Sequence, residues 1–232
     1  MRKQIPILFS TPMVQAILAG RKTQTRRVIK PQPDENGVSY MKNPPLNWEI
    51  IYKESWKPYK WDTDEGESIA KECPFGDPGD LLWVRETMDQ DFENGVTYIA
   101  DNSSWDSPPD YCYRSGNCKV PPIHMPKAAA RIWLEVTNVR AERLQDISEE
   151  DAKAEGVERW TEERMRSKPT HYKVYCDLYS PNDPAMYSSD AVHSFETLWH
   201  LIHGLESWEA NPWVWVVEFK VLSTTGYLSI NA

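Results

Sequence analysis

The sequence predicts an α+β, strand-rich fold: a small β-barrel with a few helices around it. Three observations predict it. Strand-like runs recur along the chain while only three helical patterns stand out. Aromatic residues make up 12% of the 232, with 11 Trp and 11 Tyr, which argues against disorder. Many of the 18 Pro fall between residues 31 and 126, where regular periodicity stops. The length suffices for one buried core, so the chain reads as a single domain, 1–232, with long irregular insertions at about 32–78, 101–126 and 157–187.

The elements follow in order. "IPILFS" (5–10) reads as a short buried strand. Thr11 offers an N-cap and Pro12 a first helical residue; Val14, Ile17 and Leu18 form the apolar stripe, and Gly20 ends the helix. Residues 23–29 then read as a strand. The first insertion carries isolated aromatics (Trp48, Trp56, Trp61) and room for one hairpin. "GDPGD" (76–80) turns into a strand "LLWVRETM", with "GVTYIA" (95–100) as its hairpin neighbour. "ARIWLEVTNVRAERL" (130–144) is the longest strand-like run, with Ile132, Leu134 and Val136 on one face. Ser148, Glu149, Glu150 and Asp151 have the form of a capping box, opening a short helix that runs to about Glu155 before Gly156. The best helical stripe is Ala191, Val192, Phe195, Leu198, Trp199 and Ile202, stopped by Gly204. "WVWVVEFKVL", after Asn211 and Pro212, is apolar on both faces and therefore a central strand.

Charge is uneven. The net charge is −9, yet residues 1–33 hold seven Lys or Arg and no acid, against 19 bases and 35 acids in the remainder. That excludes a broad nucleic-acid-coating surface and leaves room for a focused basic pocket. The opening "MRKQIPILFSTPM" has too short an apolar run for a signal peptide, and no stretch approaches a membrane span. Cys73, Cys112, Cys118 and Cys176 form no CxxC unit and fit free thiols in a reducing cytosol. Cys112, Cys118 and His124 have an atypical spacing for zinc, and neither a metal nor a cofactor is expected.

Three places can carry chemistry. In "ILAGRKTQTRRVIKP" (17–31), Lys22 becomes a base if burial or the neighbouring Arg21, Arg26 and Arg27 lower its pKa, and Thr25 is a nearby nucleophile. In a regular strand Lys22 and Thr25 face opposite sides, so they converge only if Lys22 still belongs to the turn after Gly20. The alternative is a solvated basic edge strand. Glu155 ends a short helix, where the dipole disfavours a carboxylate and suits it to acid–base work, although the pattern alone favours an ordinary exposed Glu. In "WVRET" (83–87), Arg85 and Glu86 are either a solvent-face pair or a pocket arginine with its acid. His193, His200 and His203 lie loosely on one helix face, without chelating spacing, and read as surface residues.

"ILAGRKTQTRRVIKP", "ISEEDAKAEGV" and "NPWVWVVEF" together resemble the ASCH domain, a relative of the PUA fold. "CPFGDPGDLLWVRET", "IHMPKAAARIWLEVTNVRAERLQDIS" and "LWHLIHG" bring the chain close to ASCH proteins of tailed phages and prophages. The likeness spans nearly the whole chain, least in 32–70 and 157–187. It implies a PUA-like barrel in the cytoplasm of a bacterial host cell, with a cleft lined by residues 11–29. The motifs are similar to those of a bacterial acetylcytidine amidohydrolase, and the resemblance implies catalytic roles for Lys22, Thr25 and Glu155. Arg27 and Arg85 are the candidates for a carbonyl or phosphate, with Arg21, Arg26 and Glu86 also on the substrate side. Gln24 and Arg26 stand where that pattern has apolar residues. The expected substrate is a modified nucleoside or nucleotide bearing an acylated cytidine-type base. The rival expectations are an RNA- or nucleobase-binding module, or a ribonuclease, taking short single-stranded RNA, and a phage accessory protein docking a protein through aromatics in 46–61.

Overall fold

The computed structural model describes residues 2–30, 32, 39–40, 50–53, 68–71, 73–91, 95–105, 118–160, 171–175 and 187–226. Along the chain come β1 (Gln4–Leu8), α1 (Thr11–Leu18), β2 (Gln24–Val28), β3 (Ser39–Tyr40), β4 (Ile50–Lys53) and β5 (Ser68–Lys71). Then follow β6 (Leu81–Arg85), β7 (Met88–Asp91), β8 (Gly95–Tyr98), β9 (Cys118–Val120) and β10 (Trp133–Arg143). The rest are α2 (Glu149–Ala154), β11 (Arg159–Trp160), β12 (His171–Lys173), β13 (Tyr187–Ser188), α3 (Ala191–His203), α4 (Glu206–Glu209) and β14 (Trp213–Ser223). The fold is α+β and rich in strands. The chain divides into two compact units, and the backbones of β10 and β14 belong to both.

The first unit comprises 1–23, 75–138 and 219–232. Here β1 runs parallel to β6, from Gln4 opposite Leu81 to Leu8 opposite Arg85, and β10 pairs antiparallel on the other side of β6. Being flanked on both sides, β6 buries Leu81, Leu82, Trp83 and Val84. β1 is an edge strand, not the buried one expected: Ile7 is covered while Leu8 is 46% exposed. An edge position suits Pro6, which has no N–H to give a second neighbour. "LLWVRETM" is also not one strand. It breaks after Arg85, and 95–98 pairs with β7, Met88 opposite Tyr98, rather than with β6. At the break Glu86 is buried against Arg131, and Trp83, Met88, Val96, Tyr98, Met125 and Trp133 form one apolar core.

The second unit comprises 24–74 and 139–218. β14 lies between β10 and β2 and buries five consecutive residues, Trp213 to Val217, as a central strand with two covered faces does. α3 is capped by Asp190, whose carboxylate accepts from the amides of Val192 and His193. It lays Ala191, Phe195 and Trp199 on a core with Leu144, Ile147, Tyr172 and Trp208. The segments expected to be irregular contain short sheets: β3-β4-β5 within 32–78, β9 within 101–126, and β11-β12-β13 within 157–187. Strand alternation is too brief there to outweigh the Pro and charge content in a sequence reading.

Among the described residues every sheet is open, so the expected barrel closure is absent. No helix among them is long and apolar enough to cross a membrane.

Candidate active site

The chain enters the basic strip through the end of α1. Gly20 adopts φ +69°, where a Cβ is disfavoured, and the amides of Arg21 and Lys22 both return to the Ala16 carbonyl, at 2.9 and 3.1 Å. Lys22 therefore stays tied to the last helical turn. Its side chain is 1% exposed, with the ammonium 5.9 Å from the centroid of the Phe9 ring. Burying an ammonium costs several kcal/mol, order of magnitude, unless contacts offset it, and an aromatic face supplies part of that. Arg21 stays partly exposed. Both residues belong to the first unit.

In the second unit, β2 pairs with β14 so that Thr25 faces Val217, Arg26 faces Val216 and Arg27 faces Trp215 across the ladder. Side chains alternate along a strand, so Arg26 projects from one face with Gln24, and Thr25 from the other with Arg27. Gln24, Thr25 and Arg26 are all buried. The strip is therefore no solvated edge at these positions.

α2 delivers Glu155 to the Arg26 face. Ser148 Oγ accepts the Asp151 amide at 3.1 Å, the expected cap, and the Glu155 amide donates to the Asp151 carbonyl at 2.9 Å. Gly156 then turns the chain away at φ +92°. Glu155 is left as the C-cap, 5% exposed, rather than on a solvent face.

The Arg26 side chain is wholly buried and surrounded by carboxylates. Nη1 donates to Glu155 Oε1 at 3.1 Å, and Nη2 donates to Asp151 Oδ2 at 3.1 Å and to Glu142 Oε1. On its flank Arg140 donates to Glu142, Asp151 and Glu218. The Phe195 ring lies 5.8 Å from the Arg26 guanidinium carbon. Two guanidiniums thus meet four carboxylates. Such a network is costly to desolvate and more costly to break, because removing one member strands the rest. Glu155 also draws on Arg27. Burial pushes the Arg27 guanidinium below the usual arginine value and the Glu155 charge pulls it back, while part of the side chain still reaches solvent.

Arg85 and Glu86 lie in the first unit and do not pair with each other. The Glu86 carboxylate takes two hydrogen bonds from Arg131, at 2.9 and 2.8 Å, and Arg131 reaches on to Asp101 and Ser103. Arg85 lies over the Trp83 ring and donates to the Ile123 carbonyl.

Of the expected site residues, the structure joins Arg26 to Glu155 and places Thr25 and Arg27 on the opposite face of β2. Sequence reasoning missed Arg140, Glu142, Asp151, Glu218 and Arg131. One signal was present: Arg140 and Glu142 stand two apart in "VRAER", the spacing of strand residues sharing a face.

Chemically, Glu155 is a buried acceptor oriented by Arg26, Arg27 supplies a desolvated positive charge, and Thr25 a buried hydroxyl. Among the described residues no group of three or more His, Cys, Asp or Glu could hold a metal. Cys112 of the atypical Cys112, Cys118, His124 set lies outside them, as does most of the aromatic stretch 46–61. No family model, no curated protein and no solved structure matches the chain.

Proposed function

We propose that this chain is a hydrolase of the ASCH type, with a PUA-like fold, that cleaves an amide on a modified nucleoside or nucleotide with an acylated cytidine-type base. The observation that carries the reading is burial: Lys22 and Thr25 are each 1% exposed and Glu155 is 5% exposed. Lys, Thr and Glu are ordinarily solvated, and such groups held away from bulk water are the kind that acid–base and nucleophilic chemistry uses. Thr25 attacks the acyl carbon, forming an acyl-threonine ester that water then hydrolyses, or orients the water that attacks directly, and Lys22 takes the proton released by the nucleophile. Glu155 delivers a proton to the departing exocyclic amine, so that one water and one amide become a carboxylate and a free base. Arg27 and Arg85 are the groups for the carbonyl oxygen or a phosphate. The chemistry needs no metal in this reading.

A second reading, a nucleobase- or RNA-binding module, is favoured by the Arg26–Glu155 ion pair, because a carboxylate held by an arginine is what a purely structural network also contains. Incubating the protein with a panel of acylated nucleosides, their nucleotides and short single-stranded RNAs, and following products by mass, tests both. Deacylation supports the hydrolase, while strand cleavage or binding without product overturns it.

A further inference from the structure

β1 carries an exposed face in the first unit. Side chains alternate along a strand, so Gln4, Pro6 and Leu8 share the face opposite the buried Ile7, and all three are exposed. Pro6 is paired with Trp83 and Leu8 with Arg85, and on the other side of β6 Trp83 is paired with Trp133. Residues 122–129 cross this face. Arg85 donates to the Ile123 carbonyl, and Lys127 Nζ donates to Gln4 Oε1 at 2.6 Å. Leu8 and Ile123, 46% and 60% exposed, therefore flank Arg85 as aliphatic surface.

Both cations on this face are held by neutral groups. The Arg85 guanidinium lies 5.5 Å from the centroid of the Trp83 ring, and the Lys127 ammonium 5.8 Å from that of Trp133. Among the described residues neither meets a carboxylate, and Arg85 Nε has no hydrogen-bond partner. Glu135, two residues past Trp133 on the same strand face, is taken up by Arg2 at 3.8 Å and Lys220 at 3.2 Å. The stretches that build the face, 1–33 and 111–134, contain no Asp or Glu in a chain of net charge −9. Arg26, Arg131 and Arg140 are surrounded by carboxylates, whereas Arg85 and Lys127 keep their charge unmatched.

We propose that this face docks an extended acidic segment of a protein partner, whose carboxylates meet Arg85 and Lys127 and whose aliphatic side chain sits on Leu8 and Ile123. Gln4, which holds Lys127, and Leu8, which faces Arg85, stand four residues apart on β1, roughly 13 Å in an extended strand. About four residues of a partner span that distance. Acidic groups supply the charge complementarity that this chain does not provide for itself. A nucleic acid fits the face less well. The Trp83 and Trp133 rings are 8% and 3% exposed and give bases no stacking platform, and two cations make a short phosphate footprint. Arg85 then faces the partner, and Arg27 is left as the group for a substrate carbonyl or phosphate. Nothing else in the proposal depends on the hydrolase.

A displayed library of random peptides is selected against the full-length protein, and an enriched peptide is then titrated by fluorescence anisotropy. Enriched sequences are expected to combine Asp or Glu with Leu, Ile or Val, and to bind more weakly as salt rises. Ile123→Asp is expected to lower the affinity about tenfold or more, through lost apolar contact and an added like charge. Lys127→Ala is expected to lower it about fivefold, as for loss of one exposed ion pair. Lys153→Ala, at an exposed lysine of α2 paired with Glu149, makes the same change in net charge and is expected to leave the affinity unaltered. Circular dichroism checks that the three variants are folded. No enrichment, enrichment of neutral or basic peptides, or equal affinities in the three variants overturns the docking face. Two other results overturn it by naming a different occupant. One is displacement of the peptide by short single-stranded RNA whose own binding weakens in Lys127→Ala. The other is a dimer in sedimentation that Ile123→Asp dissolves.

Discussion

Arg26 Nη1 stands 3.1 Å from Glu155 Oε1, a contact between residues 129 apart in sequence that ties the middle of β2 to the end of α2. Arg26 is therefore the keystone of a buried network and not one more surface charge in a basic strip. Arg26→Ala leaves Glu142, Asp151 and Glu155 without their shared cation. It is expected to destabilise the fold by about 3–5 kcal/mol, measured by urea denaturation with unchanged slope. A loss below about 1 kcal/mol means the network contributes no more than an exposed ion pair.

Glu155→Gln separates structure from chemistry. The amide keeps the shape and can still accept from Arg26, so the cost in stability is expected to be only about 1–2 kcal/mol. Turnover of an acylated cytidine is expected to fall by about two orders of magnitude or more, since the amide cannot shuttle a proton. Unchanged turnover assigns Glu155 to structure alone.

Lys22→Arg keeps the positive charge but removes a group that can act as a base, because arginine does not deprotonate in proteins. Activity is expected to be lost, with circular dichroism and thermal unfolding confirming that the buried site has accepted the larger side chain. A folded variant with full activity rules out Lys22 as the base.

Thr25→Ala distinguishes enzyme from binder. An enzyme uses the hydroxyl mainly in the transition state, so kcat is expected to fall by orders of magnitude with little change in ligand affinity. A binder loses one hydrogen bond, about 0.5–1.5 kcal/mol, or at most roughly tenfold in affinity. Calorimetry and product assays on one nucleoside decide between them.

Asp101 and His203 both shape the acid side of the stability profile. Desolvation alone would raise the Asp101 carboxyl, but hydrogen bonds from Arg131 and Ser103 outweigh it and hold it at about 2. Its contribution is present above the unfolded carboxylate value and is lost as pH falls through about 2. His203 is lowered by burial and by Arg27 and Lys30, so the unfolded chain takes up its proton first and stability falls as pH drops below the usual histidine value. Thermal unfolding across pH is expected to lose its slope near that value in His203→Gln, and to keep the steep fall at lower pH until Asp101→Asn removes part of it. A profile unaltered by either variant contradicts these assignments.

Much of the local structure was determined by sequence alone, because short-range signals act within a few residues. Ser148 caps α2, Gly156 and Gly204 turn the chain at φ +92° and +90°, and the doubly apolar run of β14 lies between two neighbouring strands. The burial of Ile132, Leu134 and Val136 follows from the same periodicity. The partners of charged groups were decided only by tertiary structure. Nothing near Glu86 in sequence names Arg131, 45 residues on, and the neighbour it does have, Arg85, goes instead to the Trp83 ring and the Ile123 carbonyl. Arg26 looks like its basic neighbours until three carboxylates from β10 and α2 close around it. A charge in water is nearly indifferent to its sequence neighbours. Once buried it must be matched, and the match is set by which strands and helices the chain brings together, a long-range outcome that residue type and spacing do not encode.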